Sequence, residues 1–133
     1  LDRELLEAMD GCRQPWSVSG PAQSAGEAAL GETEYVNRAR ELVKRERSWL
    51  KAQMEGLGLF VYDSRANYLF FRDPAQARAR TPESRSLYDA CLKNGVLIRS
   101  CANYHGLGND WYRVCVGQAE QNRRLLAALK EVL

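Results

Sequence analysis

Trp111-Tyr112-Arg113-Val114-Cys115-Val116 predicts a β-strand, because aromatic and β-branched residues fill it without a glycine or proline. The run Val96-Leu97-Ile98-Arg99 before it is short and apolar until its last residue, which is typical of a buried strand. Residues 100–110 between the two runs are rich in polar residues and glycine and therefore predict a loop. Two neighbouring strands are thus expected to carry one arginine each, Arg99 and Arg113.

Two earlier extended runs predict a hairpin. Leu59-Phe60-Val61-Tyr62 and Tyr68-Leu69-Phe70-Phe71 combine aromatic and branched aliphatic residues, as strands do. The link between them, Asp63-Ser64-Arg65-Ala66-Asn67, has the composition of a turn. We therefore expect the two strands to pair antiparallel.

Helical spacing of apolar residues accounts for most of the remaining chain. Five helices are expected, and residues 73–82, with two prolines, are expected to form a surface loop. The predicted helices cover residues 1–9 (ending at Gly11), 19–30 (capped by Ser19), 32–55, 83–94 and 118–133. The element order α-α-α-β-β-α-β-β-α predicts an α+β fold, a small and mostly antiparallel sheet packed by helices.

Composition narrows the range of partners. The 133 residues suit a single domain with one modest core, and 45% hydrophobic with 27% charged residues is ordinary for a globular protein. The formal net charge of +2 is too small to indicate binding to nucleic acid or to an acidic membrane surface. The chain has no apolar run of about 18 residues, so no membrane span is expected.

The cysteines and the single histidine indicate neither a metal site nor a disulfide framework. Cys12, Cys91, Cys101 and Cys115 are far apart in the sequence, and His105 is the one histidine. Zinc ligands normally occur in closely spaced pairs, so no metal site is predicted. No secretory signal pattern accompanies the cysteines, and we expect reduced thiols and a cytoplasmic protein.

Arg99 and Arg113 are the candidate binding residues. An arginine in a buried strand needs an anion or a carboxylate partner to compensate its charge. Its planar guanidinium also binds a carboxylate or a phosphate through two hydrogen bonds, which lysine cannot do. The alternative is a solvated face: by alternation Trp111, Arg113 and Cys115 lie on one side of their strand, and that side could face water.

Five stretches of the sequence together carry a resemblance to a known family. They are Pro15-Trp16-Ser17-Val18, Ser64-Arg65-Ala66-Asn67-Tyr68-Leu69-Phe70, Gly95-Val96-Leu97-Ile98-Arg99, Tyr112-Arg113-Val114-Cys115-Val116-Gly117 and residues 120–129. On these stretches the chain resembles histidinol-phosphate aminotransferases over nearly its whole length. The stretch Arg99-Ser100-Cys101-Ala102-Asn103-Tyr104-His105-Gly106-Leu107 is more similar to the sister family of threonine-phosphate decarboxylases, which act in cobalamin biosynthesis. Both are fold-type I enzymes dependent on pyridoxal phosphate.

The resemblance implies roles for five residues. Arg113 matches the arginine that holds the substrate α-carboxylate, and Arg99 matches a second arginine near the anionic groups of a phosphorylated amino-acid substrate. Asn67 matches a motif residue for which a structural and a site-lining role are equally open. Tyr104 and His105 lie in the loop that borders the substrate in such enzymes. The cofactor implied is pyridoxal phosphate, bound by a large domain through a lysine.

None of the four lysines follows the serine-rich, small-residue context of that cofactor lysine. We therefore expect the chain to be a C-terminal small domain, with residues 1–30 connecting to a large domain outside it, and to be inactive alone. The resemblance implies a homodimer for the whole enzyme. Three functions stay open: threonine-phosphate decarboxylase first, histidinol-phosphate aminotransferase second, and a stand-alone binding module third.

Overall fold

The structure, a computed structural model, describes residues 2–13, 16–78 and 86–133. Within these ranges the chain forms six helices and four strands, and it divides into two compact units, residues 1–37 and 38–133. The elements are α1 (Arg3–Cys12), α2 (Gly20–Leu30), α3 (Thr33–Gly56), β1 (Phe60–Val61), β2 (Tyr68–Arg72), α4 (Pro74–Arg78), α5 (Leu87–Lys93), β3 (Arg99–Ser100), β4 (Trp111–Cys115) and α6 (Ala119–Val132).

Helices α1 and α2 of the first unit have side-chain caps at their first turns, and none of their residues is buried. The side chain of Asp2 accepts a hydrogen bond from the Glu4 amide at the start of α1, and the Ser19 hydroxyl accepts one from the Ala22 amide at the start of α2, as predicted. Helix α1 continues past Gly11 to Cys12, so its predicted end was wrong by about a turn. A glycine inside an exposed helix costs only about 1 kcal/mol, which the helix tolerates. Gln14 and Pro15, which lie between the two helices, are outside the described residues.

The second unit is built on a four-stranded sheet in the order β1-β2-β4-β3 with every pair antiparallel. The predicted hairpin is confirmed by the β1–β2 pairing. Strand β4 lies between β2 and β3, so that Arg113 is the register partner of both Phe70 and Arg99. The α+β class and the antiparallel sheet are therefore as expected.

One face of this sheet is closed by helices. Leu69 and Phe71 from β2 and Tyr112 and Val114 from β4 point into the core and are at most 6% exposed. Residues of α3, α5 and α6 cover them, which places the apolar faces of these helices on the sheet. The helical residues in the core are Leu50, Met54, Leu87, Cys91, Leu125, Leu126 and Leu129.

The apolar stripe predicted along α3 is only partly buried. Leu50 and Met54 are fully covered, whereas Trp49 and Tyr35 remain exposed. Glu46 is buried in their place, 7% exposed, because its carboxylate accepts a hydrogen bond from the buried amide of Asn122 on α6. A paired polar side chain can occupy a position that periodicity assigns to an apolar one.

Two segments differ from the sequence-based expectation. The predicted loop 73–82 contains the short helix α4, whose first residue is Pro74 and whose first turn is capped by the Asp73 carboxylate. Proline at the first helical position is favourable, so its presence did not exclude a helix. Residues 79–85, which include the start of the predicted helix 83–94, lie outside the described residues.

The strand predicted over residues 96–99 is displaced to β3, residues 99–100. Val96 belongs instead to the end of α5: its amide bonds to the Cys91 carbonyl, and Gly95 adopts a positive φ of 70°. This pattern of bonds is the common way in which a glycine ends a helix. Ile98 is nevertheless buried, as expected.

Candidate anion-binding site

The open face of the sheet carries two arginines at one register position. Arg99 in β3 and Arg113 in β4 are Cα partners in an antiparallel pair, so their side chains leave the same face. Like charges directly opposite each other are destabilising unless an anion compensates them. Within the described part of the chain neither arginine forms a salt bridge with an acidic residue. The site therefore presents two uncompensated guanidinium groups.

The two arginines contact different neighbours. The guanidinium carbon of Arg113 lies 4.9 Å from the centre of the Tyr68 ring, a cation–π contact to the neighbouring strand β2. Arg99 donates from Nη2 to Oδ1 of Asn103 at 3.4 Å, in the loop that follows β3. Arg113 is half-buried and Arg99 is exposed. Both groups keep hydrogen-bond donors available for a ligand, because a guanidinium has five.

Two pockets adjoin Arg113. A pocket of about 490 Å³ is lined by both arginines, by Asn67, Tyr68 and Tyr88, and by residues just before β3 and in β4. A second pocket of about 640 Å³ lies on the other side of Tyr68, between the β1–β2 turn and the loop after β3. The residues that line the second pocket are Tyr62, Asp63, Ser64, Arg65, Ala66, Tyr68, Phe70, Cys101, Tyr104 and Arg113.

A cluster of aromatic rings lies beside the arginines on the same face. Phe70 and Trp111 stack at 5.0 Å between ring centres, and Tyr62 stacks on Phe70 at 5.5 Å and on Trp111 at 5.8 Å. The sequence analysis did not assign these rings to the site. The signal was available, since strand alternation places Tyr68, Phe70, Trp111 and Arg113 on one side.

Cys101 is a second feature that the sequence analysis did not identify. The residue is 1% exposed and lies beside the larger pocket. Burial raises the pKa of its thiol, although the positive charges of Arg113 and Arg99 act in the opposite direction. The thiol is therefore protonated near neutral pH and lines the site as a small, weakly polar group.

The other three predicted site residues have different positions. Tyr104 lines the larger pocket together with Arg113. Asn67 lines the smaller pocket, and its backbone carbonyl accepts a hydrogen bond of 2.8 Å from the Val116 amide. His105 is exposed in the loop after β3 and lines neither pocket. Arg99, Arg113, Asn67 and Tyr104 are thus brought together, whereas His105 is not.

The lysines of this chain do not fit a covalent attachment point for pyridoxal phosphate. Such a lysine must reach its neutral form, which burial favours. Lys44, Lys93 and Lys130 are exposed. Lys51 forms a salt bridge with Asp63, and that hydrogen bond raises the pKa of the Lys51 ammonium and so holds it charged.

The described residues provide neither a membrane-spanning helix nor a metal-binding cluster. None of the helices there combines the length and the apolar character that crossing a lipid bilayer requires. The same ranges hold no group of three or more histidine, cysteine and acidic side chains placed to bind a metal ion.

Known proteins are similar to this chain in sequence. The sequence model of the family "Aminotransferase class I and II" matches residues 1–129. A histidinol-phosphate aminotransferase of Symbiobacterium thermophilum is 41% identical over 130 residues, 98% of this chain and 34% of the relative. A threonine-phosphate decarboxylase of Salmonella typhimurium is 39% identical over 133 residues, 99% of this chain and 35% of the relative.

A solved structure gives the same result. The crystal structure of the histidinol-phosphate aminotransferase from Clostridium acetobutylicum superposes with a TM-score of 0.73 at 26% identity, covering 98% of this chain and 38% of that one. The chain spans about a third of the length of the curated relatives it matches. The chain belongs to the class I and II aminotransferase family.

Proposed function

We propose that this chain is the substrate-binding small domain of a pyridoxal-phosphate-dependent enzyme that acts on a phosphorylated amino acid, with L-threonine O-3-phosphate decarboxylase as the first candidate. The single observation that carries the proposal is the Arg99–Arg113 pair, two guanidiniums at one register position without an acidic partner among the described residues. Arg113 would bind the α-carboxylate and Arg99 the phosphate.

The separate neighbours of the two arginines support a ligand with two anionic groups. Arg113 is held over Tyr68 in β2, whereas Arg99 reaches Asn103 on the other side of β4. A ligand with a carboxylate at one end and a phosphate at the other could bind both guanidinium groups. Arg113 would keep its contact with Tyr68, and Arg99 would keep its hydrogen bond to Asn103. Fixing both ends of the substrate also fixes its orientation, which is the main contribution that such residues make to a rate.

Histidinol-phosphate aminotransferase is the second candidate, and the relatives of that name favour it. Histidinol phosphate carries its negative charge on the phosphate alone, since an alcohol replaces the carboxylate of histidine. Both arginines would then have to converge on one phosphate, which can accept several charge-assisted hydrogen bonds. The two candidates thus differ in whether the arginines act on one group or on two.

The cofactor in this proposal is bound outside the residues of this chain, because none of its lysines fits the attachment. We infer that residues 1–30 connect to the domain that holds it, and the unit boundary at residue 37 supports a separate role for this region. By itself the chain would bind substrate without converting it. We also propose that the whole enzyme is a homodimer, as the resemblance implies.

The test uses the whole protein from which this chain comes, loaded with pyridoxal phosphate. Incubation with L-threonine O-3-phosphate is expected to release CO₂ and 1-aminopropan-2-yl phosphate, with no amino acceptor needed. A keto product formed from histidinol phosphate, and only when an acceptor such as 2-oxoglutarate is present, would establish the second candidate instead. Arg113→Gln and Arg99→Gln should each impair the reaction, and full activity of both variants would refute the assigned roles.

A further inference from the structure

Helix α3 contacts the turn before β2 through Arg47. Arg47 donates from Nη1 to the carbonyl oxygen of Ala66 at 2.8 Å, across 19 positions of sequence. Ala66 lies in the turn between β1 and β2, immediately before Asn67 and Tyr68. That turn is also closed by Ser64, whose hydroxyl donates to the Tyr68 carbonyl at 2.7 Å. Arg47 therefore fixes the segment that leads into β2.

Glu46 acts on the other strand through Asn122. The Asn122 amide is 1% exposed and donates to Glu46 Oε2 at 3.0 Å and to the Gly117 carbonyl at 2.9 Å, while its oxygen accepts from the Gly117 amide at 2.9 Å. Both backbone groups of Gly117 are thus held by one side chain. A Cβ at Gly117 would lie 2.5 Å from Oε1 of Gln121, so a larger residue there would displace the Gln121 side chain. The segment that leaves β4 is therefore held by side-chain hydrogen bonds, as is the segment that enters β2.

The two fixed segments meet at the same end of the β2–β4 pair. The Val116 amide bonds to the Asn67 carbonyl at 2.8 Å, and Tyr68 is the register partner of Cys115. Tyr68 is also the ring over which the Arg113 guanidinium lies. Displacing either segment would therefore move the ring that orients the arginine.

We propose that Glu46, Arg47 and Asn122 are positioning residues: they hold the Tyr68 end of the sheet so that the Arg113 guanidinium is aimed at the ligand, without touching that ligand themselves. The choice of ligand in this inference rests on the proposed function. The aim of the guanidinium is a property of the chain alone. If these residues only stabilised the fold, substituting them would lower the free energy of unfolding. The Arg113–Tyr68 contact and the ligand affinity would then stay unchanged.

The experiment compares Arg47→Met with wild type in the 133-residue chain. The change keeps the apolar stem and removes the donor to Ala66. Arg40→Met, at an exposed position of the same helix, is the matched control, and Arg47→Lys tests rescue by a shorter donor. The first readout is the NMR shift of the Arg113 Hδ protons, which the ring current of Tyr68 is expected to displace upfield in wild type because the Arg113 guanidinium lies over that ring. The second is the affinity for O-phospho-L-threonine by calorimetry.

Arg47→Met is expected to return the Arg113 protons toward their random-coil shift and to weaken binding roughly threefold to tenfold, the effect of one lost hydrogen bond of ordinary strength. Arg40→Met is expected to change neither quantity, and Arg47→Lys to restore part of both. If folded Arg47→Met shows an unchanged ring-current shift, the positioning role is overturned, regardless of the affinity measured for O-phospho-L-threonine. If Arg47→Met does not fold, Arg47→Gln, which is too short to reach Ala66 in the same way, is read by the same two criteria.

Failure of the proposed function gives a different result. Wild type would then show no saturable binding of O-phospho-L-threonine, while its Arg113 protons remained upfield and moved on substitution of Arg47. That outcome keeps the positioning role and removes the ligand. In a third outcome, Arg47→Met would bind O-phospho-L-threonine with the wild-type affinity although its Arg113 Hδ protons had shifted. The orientation of Arg113 would then not determine affinity, and the inference would be overturned.

Discussion

The two faces of the sheet differ although the same strands form both. Phe71 points into the core and is fully buried, whereas Phe70, its neighbour in sequence, lies on the open face with Tyr62 and Trp111. On β4 the same alternation separates buried Tyr112 from Arg113. The closed face has three helices over it. The open face has aromatic rings, two arginines without acidic partners among the described residues, and two pockets.

This difference separates stability from binding. Buried apolar area dominates the free energy of folding, so the closed face is where substitutions should unfold the domain. Exposed aromatic and arginine side chains contribute less to folding, and their grouping beside a pocket indicates recognition of a ligand. A residue's face, more than its type, should decide which property a substitution changes.

The largest effect is expected from exchanging one phenylalanine for alanine on each face. Phe71→Ala should lower the free energy of unfolding by about 3–5 kcal/mol, since it leaves a cavity in the core. Phe70→Ala should lower it by only about 1 kcal/mol, mainly by removing its ring contacts. Urea denaturation monitored by circular dichroism measures both. Equal losses from the two substitutions would break the proposed division between the faces.

Substituting either arginine of the site is expected to have an intermediate effect. The effect should fall on ligand affinity and not on the stability of the fold. Arg113→Gln and Arg99→Gln should each weaken binding of O-phospho-L-threonine by roughly tenfold to a hundredfold, the usual effect of losing a hydrogen bond to a charged group. The midpoint of urea unfolding should not fall, because each change removes one of two facing like charges. Arg113→Lys keeps the charge but not the paired donors and should weaken binding as well. Lower stability with unchanged affinity would contradict this assignment.

The smallest effect concerns alkaline pH and the thiols. Burial raises the pKa of Cys91 in the core from 9.0 to about 11. Below about pH 9 both the folded and unfolded chains keep the proton, and the stability contribution is complete; between about pH 9 and 11 only the unfolded chain loses it, so stability falls as pH rises. Urea midpoints at about pH 8 and about pH 10.5 should show this loss. Cys91→Val should reduce the loss, while Cys115→Ser, at an exposed position, should retain it.

Much of the fold could be predicted from the sequence because short local patterns indicate its strands, turns and helix ends. The aromatic and branched residues at 111–116 and 68–71 identified both central strands, and the turn composition between residues 62 and 68 identified the hairpin. The start of helix α2 could also be predicted from nearby residues, because its cap, Ser19, lies only three positions before Ala22, whose amide it accepts from. Arg99 and Arg113 were also identified locally, as charged residues in strand-forming runs. Their pairing opposite each other needed the register, which only the tertiary structure supplies.

Features that depend on contacts distant in sequence were missed. Burial of Glu46 depends on Asn122, 76 residues later, and periodicity along α3 cannot register such a partner. The stacking of Tyr68 under Arg113 likewise joins two strands separated by three other elements. Helix α4 was missed for a local reason: proline is typical of loops, but it also suits the first position of a helix, where Pro74 lies. His105 was assigned from the resemblance alone, and it lines neither pocket beside Arg113.

The most direct test is an NMR titration of the chain in which the arginine Nε–H signals are followed with O-phospho-L-threonine, L-threonine and inorganic phosphate. We expect Arg99 and Arg113 to shift together in a single saturable transition with O-phospho-L-threonine. L-threonine alone should move mainly Arg113, and phosphate alone mainly Arg99. Shifts spread evenly over exposed arginines such as Arg40 and Arg123, or no response from Arg113, would contradict the claim that the open face holds one doubly anionic ligand.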